Sequence, residues 1–334
     1  MNHRRTYLRA LVAFIAMILL MLNTDIAATG VAAGIDLCIR VVIPSLFPFF
    51  IISSWLNSSI QGISIPGLRL LGNFLHLNSG SEGIFLIGLL GGYPVGAQCI
   101  ADAKQQGQLD TMHAQRMLGF CSNAGPAFIF GITRLLFVAK YTPWIIWLIH
   151  ICSAIFVGII LPPVPSKPPF NIQPQPISFT NAMKQSIHTT ISVCSWIILF
   201  KTILQFLTAI TSKYPFLSLT IGLLELSNGT LQLNNIPQES MRFILCSSYL
   251  GFGGLCVWMQ THSVSGTCGT GLYLPGKVMQ LLISASLSAL ISMFLFQENI
   301  IPPLYFLLMS TVSIFLIIMI RHHCTKKLWK LTQI

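Results

Sequence analysis

The sequence predicts an all-α, polytopic membrane protein of about eight spans, with two re-entrant or broken helices and two inverted repeats. Three observations lead there: a near absence of charge, a series of long apolar runs, and two short apolar runs that stop at glycine-rich or polar breaks. Only 8% of the residues are Asp, Glu, Lys or Arg, against 54% hydrophobic, and mean hydropathy is +0.75. A water-soluble domain carries about 25% charged residues. This chain cannot cover a globular surface, so its solvent is largely hydrocarbon.

Lys and Arg number 19 against 8 Asp and Glu. The basic residues gather near the ends of apolar runs, which is a topology signal rather than the basic face of a nucleic-acid binder. Membrane lipid is therefore the expected partner, and nucleic acid is not. The nine cysteines are scattered, with no C-x-x-C pair. They read as small core- or lipid-facing residues, with neither disulfide framework nor metal site. No metal or cofactor is expected.

The elements follow in order. Residues 1–33 form a first transmembrane helix. Its basic start (Arg4, Arg5, Arg9) and the later Ala27, Ala28, Ala32 and Ala33 resemble a signal peptide, but the many downstream spans favour a retained helix. Further apolar segments lie at 41–56, 84–90, 112–132, 144–161, 191–210, 216–226, 241–259, 278–296 and 304–320. Several reach about the 20 residues needed to cross a 30 Å core; 84–90 and 216–226 do not. Those two read as halves of broken helices, whose free peptide groups must be buried in protein or line a wet cavity. The tail after residue 320 is basic again, so both termini are expected in the cytoplasm and the span number is even. Residues 162–180 form a proline-rich, extended linker.

The stretches on either side of that linker share an order of parts. Ile87-Gly-Leu-Leu90 and Ile221-Gly-Leu-Leu224 each end in a break. Each is followed by a helix with a basic residue near its start (Arg116, Arg242), then Cys-Ser (Cys121-Ser122, Cys246-Ser247), a glycine break and a long apolar helix. Repeat one is placed at 34–161, repeat two at 181–297, and a last helix with a basic tail at 298–334. Three crossings per repeat make the repeats inverted, an architecture common among secondary transporters.

Chemistry is expected at the breaks. In Gly91-Gly-Tyr-Pro-Val-Gly96 the glycines and Pro94 stop a helix and leave backbone groups without intrahelical partners. The polar stretch 102–110 reads as a surface loop, with Asp110 or Thr111 capping the next helix. That helix ends at Ser122-Asn-Ala-Gly-Pro126, where Asn123 can both donate and accept. In the second half, Glu225 ends a short apolar helix. An acid at membrane depth costs roughly 3 kcal/mol on insertion scales, so it usually has a partner or a task; Lys201 and Lys277 are the candidate partners. Gly251-Phe-Gly-Gly254 and Gln260 mirror the first-half break. His262 and Ser265 invite a hydrolase reading, but no acid is placed to orient the histidine, and no phosphate loop or zinc motif is present. An enzyme is not expected.

Gly92-Tyr-Pro-Val-Gly-Ala97, Arg116-Met-Leu, Phe120-Cys-Ser-Asn-Ala-Gly-Pro126 and Leu223-Leu-Glu-Leu-Ser-Asn-Gly229 resemble the signature stretches of the YlbJ-type sporulation integral membrane proteins. Those proteins belong to the wider group with a Gate (nucleoside-recognition) domain. The resemblance covers roughly residues 34–320. It departs at Ser122-Asn-Ala, where the family often has Asn-Asn-Ser, and before Arg116, where an acid is common. It implies a membrane transporter of a small organic solute, dipicolinic acid during sporulation being the candidate. The substrate-binding residues would be Gly92, Tyr93, Pro94, Gly96, Ser122, Asn123, Gly125, Pro126, Glu225 and Asn228. The alternative is a structural membrane protein of spore formation without transport of its own. A homo-oligomer or another membrane protein stays open as a partner.

Overall fold

A chain dissolved in hydrocarbon has to satisfy every peptide group internally, and helices do so within one segment. The computed structural model describes residues 2–60, 62–164, 176–213, 220–296 and 298–331, and no strand occurs among them. The first half contains α1 (Asn2–Leu22), α2 (Thr24–Leu37), α3 (Ile43–Ile60), α4 (Pro66–Phe74), α5 (Glu82–Gly91), α6 (Val95–Gln105), α7 (Thr111–Cys121), α8 (Pro126–Thr133) and α9 (Thr142–Ile160). The second contains α10 (Phe179–Lys213), α11 (Ile221–Leu224), α12 (Leu226–Gln232), α13 (Glu239–Phe252), α14 (Gly254–Ser265), α15 (Tyr273–Leu295) and α16 (Ile301–Leu331). Most of the proline-rich linker, residues 165–175, and the start of the 216–226 segment lie outside the described residues.

Among the described residues, five helical stretches are long and apolar enough to cross a membrane: Thr24–Ile60, Thr142–Ile160, Phe179–Leu207, Glu239–Ser265 and Tyr273–Leu295. Shorter apolar helices lie at Thr6–Leu22, Glu82–Gly91 and Ile301–Phe315. Large apolar side chains on α1, α9 and α16, such as Phe14, Leu148 and Leu308, are exposed, as a lipid-facing surface requires. The chain is a multi-pass helical membrane protein.

α2 and α3 are continuous through a π-helical turn, Cys38–Val42. Pro44 has no N–H to give, and the preceding Ile43 N–H reaches back five residues to the Cys38 carbonyl. The wider turn absorbs the mismatch without ending the helix.

Helices here meet through glycine. Water cannot drive apolar helices together in lipid, so close backbone approach has to supply the contact. The opening helices of the two halves pair at Gly30 and Gly34, where an added Cβ would lie 2.7 Å from Thr202 Cα and 2.8 Å from Ile198 Cα on α10. α7 and α15 cross at Gly119 and Gly276, where a Cβ on Gly276 would lie 2.6 Å from Gly119 Cα. A Cβ on Gly88 or Gly96 would overlap the Cys121 carbonyl oxygen, so α5, α6 and the end of α7 touch without side chains between them.

Two buried charges fix helix ends. Arg116, 1% exposed, sends Nε to the Pro162 carbonyl (2.8 Å), Nη1 to that of Leu75 (2.8 Å) and Nη2 to that of Gly158 (2.5 Å). The Gly158 carbonyl is free because its i+4 neighbour is Pro162, which has no N–H. Glu82, also buried, accepts from Arg69 Nη1 at 2.7 Å and from the Gly80 N–H at 2.8 Å, joining α4 to the start of α5. Asp110 caps α7 as expected, accepting from the His113 N–H at 2.8 Å.

Candidate functional site

Both predicted breaks exist. α5 stops at Gly92, whose φ of 78° is a conformation that favours glycine, and α6 starts after Pro94. α11 stops at Glu225, which is extended (φ −140°, ψ 119°), and α12 starts directly after it. α7 and α8 are likewise parted at Ser122–Gly125, and α13 and α14 at Gly253, which is left-handed with φ 84°. The order of long helix, two broken helices and long helix therefore occurs on each side of the linker.

The breaks meet. Gly92 packs on Gly125 so closely that a Cβ on Gly92 would lie 2.8 Å from the Gly125 nitrogen. Tyr93, Gly125 and Phe128 from the first half and Glu225, Leu226, Ser227 and Gln260 from the second border one hollow of ≈ 440 Å³ of unfilled space. Val42 and Leu46 of the Thr24–Ile60 helix, Val193 and Ile197 of α10 and Val257 of α14 complete its largely apolar wall.

Glu225 is 2% exposed and caps α12 with both oxygens. Oε1 accepts from the Ser227 N–H (3.0 Å), and Oε2 accepts from the Asn228 N–H (2.7 Å) and Asn228 Nδ2 (2.5 Å). Lys201 Nζ donates to Asn228 Oδ1. The acid and the lysine on α10 are thus joined through one amide. This arrangement corrects a simple view of the break as an open anion cradle: at α12 the free N–H groups are already taken by the chain's own carboxylate. α8 differs. It begins with Pro126, and Gly125 and Phe128 at its start face the hollow.

Asn123 lies behind the hollow, fully buried. Its Nδ2 donates to the Phe120 carbonyl at 2.7 Å, closing the end of α7. Its Oδ1 accepts from Gln280 Nε2 at 3.0 Å and, at 3.5 Å, from Lys277 Nζ. Lys277 also donates to Gln280 Oε1 at 2.7 Å and lies 5.3 Å from the Tyr93 ring centroid, within cation–π range. Lys277 is fully buried and belongs to Asn123, not to Glu225; of the two candidate lysines, Lys201 is the one near the acid. The Ala124 N–H donates to His150 Nε2 at 3.1 Å.

The other named residues take scaffold positions. Gly96 sits at the Cys121 crossing, and Pro94 and Pro126 start α6 and α8. The buried Ser122 hydroxyl has no hydrogen-bond partner among the described residues. Gly253 and Gln260 do face the first-half break, Gly253 against the Tyr93 hydroxyl and Gln260 across the hollow. Sequence reasoning missed Gln280 and His150. A polar residue one turn from a lysine inside an apolar run, as in Lys277-Val-Met-Gln280, was the available signal for the first. Ser265 Oγ donates to the His262 backbone carbonyl at 3.1 Å, while His262 itself is exposed.

No family model matches the chain, and no solved structure matches it. Among curated proteins it is similar to the sporulation integral membrane protein YlbJ of Bacillus subtilis (strain 168), with 33% identity over 106 residues. That match covers 29% of this chain and 24% of the relative, so the chain spans about a quarter of the length of the curated protein it matches.

Proposed function

We propose that this chain is a membrane transport protein in which a small organic solute occupies the hollow between the two breaks, and that it serves spore formation. One observation carries the reading: Tyr93 and Gly125 from before the linker and Glu225 and Ser227 from after it border a single hollow. The repeated order of broken and long helices suits two inverted Gate-like repeats, with the solute at their interface. The similarity to a protein named for sporulation supports the setting. Dipicolinic acid is the candidate solute, its carboxylates meeting the positive end of α8.

The test is uptake into vesicles holding the purified protein, with radiolabelled dipicolinic acid as the probe. Glu225→Gln and Asn123→Ala, compared at equal protein level, are expected to reduce uptake. Unchanged uptake in both variants removes these residues from the mechanism. The second reading, a structural component of the spore-forming membrane, is favoured by how much of the polar machinery caps helix ends. It predicts that break substitutions act only through protein abundance.

A further inference from the structure

A second group of polar side chains lies where α3, α6 and α10 meet. Ser54 and Asn57 come from α3, Gln98 and Asp102 from α6, and Gln185 and Thr189 from α10; they border a recess of ≈ 330 Å³ of unfilled space. Its hydroxyl donors are used. Ser54 Oγ donates to Gln185 Oε1 at 2.7 Å. Thr189 Oγ1 donates to the Gln185 carbonyl at 3.0 Å and lies 3.2 Å from Gln98 Oε1.

Acceptor capacity remains. Asn57 is 5% exposed, and its Oδ1 has no hydrogen-bond partner among the described residues. The Asp102 carboxylate takes part in none of the ion pairs or side-chain hydrogen bonds found among the described residues. No Lys, Arg or His side chain lines the recess. Asp102 also stands in the last turns of α6, where the carbonyl end of a helix favours positive charge.

A half-buried carboxylate and a buried amide oxygen, both unanswered among the described residues, with further amide and hydroxyl oxygens beside them, form a set of hard ligands suited to a hard cation. A single carboxylate supplies one negative charge. Divalent calcium gains affinity from several such charges, so the balance here is that of a monovalent ion. We propose that the recess is a sodium site, held by the Asp102 carboxylate and Asn57 Oδ1 with help from the Gln98 and Gln185 amide oxygens. α6 runs from the break at Pro94 to Asp102, about 12 Å at 1.5 Å per residue, so an ion there bears on the helix that leaves the hollow. Its role as the coupling ion rests on the transport reading; its binding does not.

The experiment uses the purified full-length chain in detergent with no solute added. Thermal stability is followed against NaCl or choline chloride at constant ionic strength, and bound ²²Na⁺ is counted directly. The expected result is a saturable rise in Tm with sodium and not with choline. Asn57→Ala should shift half-saturation roughly tenfold, and Asp102→Asn should abolish the response. An equal response to sodium and choline, absence of bound ²²Na⁺, or a wild-type response in Asp102→Asn overturns the site. Should Asp102→Asn fail to fold, Asn57→Ala and Gln98→Leu carry the test, and unshifted half-saturation in both overturns it. Sodium binding without solute uptake in vesicles sustains the site and sinks the transport reading.

Discussion

The Tyr93 hydroxyl donates to the Leu250 carbonyl at 3.3 Å, linking residues 157 positions apart. Leu250 lies in the last turn of α13, so the bond ties the first-half break to the second half beside Gly253. Tyr93→Phe keeps the ring under Lys277 and removes only this bond. The expected loss is about 1 kcal/mol, read as a lower Tm. Tyr93→Ala should cost about 3–5 kcal/mol. Equal losses in the two variants would place the whole contact in the hydroxyl.

Glu225 satisfies three donors at the start of α12. Glu225→Ala leaves them buried and unanswered, a loss of about 1–3 kcal/mol. Glu225→Gln keeps one acceptor oxygen and should lose less. Denaturation of the two variants side by side checks the order, and a milder effect of alanine would contradict the capping geometry.

Glycine crossings should tolerate no side chain. Gly88→Ala would overlap the Cys121 carbonyl, and the expected outcome is loss of folded protein in the membrane. Gly131→Ala meets nothing within 4 Å and serves as the matched control, with normal abundance. Similar abundance of both variants would show that α5 and α7 do not approach as described.

Arg116 holds three carbonyls through a planar fork. Lysine keeps the charge but cannot reach all of them. Arg116→Lys should therefore destabilise the protein by about 1–3 kcal/mol. A wild-type melting profile for that variant would leave the fork without a structural role.

Glu298, in the turn after α15, accepts from the N–H groups of Glu239 (2.9 Å) and Ser240 (3.1 Å) and from Ser240 Oγ (2.5 Å). Burial alone would raise its pKa, but these hydrogen bonds and the nearby Arg242 hold it below the usual carboxylate range. A carboxyl depressed in the folded state stabilises above its unfolded value, near 4.3. That contribution disappears as pH falls through the lower folded value. Stability of wild type should thus drop on acidification more steeply than that of Glu298→Gln; parallel curves would exclude the cap.

The helical membrane class, the interruptions at Tyr93 and Glu225 and the Asp110 cap were legible because glycine, proline and isolated polar residues in apolar runs have few physical readings. The pairing across the interface was not. That Lys277 belongs to Asn123 while Lys201 reaches Glu225 through Asn228 depends on how helices rotate against each other, which hydropathy does not encode. The Arg69–Glu82 pair was invisible for the same reason: its members lie 13 residues apart on separate helices, with only the packing of Gly72 against Glu82 to register them. The π-turn before Pro44 leaves no mark in composition.

Where two backbones touch with nothing between them, there is no side chain to trim or enlarge, so those junctions cannot be adjusted by degrees. If the hollow holds a solute as proposed, adaptation to a different one falls to Val42, Leu46, Phe128, Val193, Ile197 and Val257, which surround it and can change by one methyl group at a time. The frame is fixed by its glycines, and the wall is left free to drift.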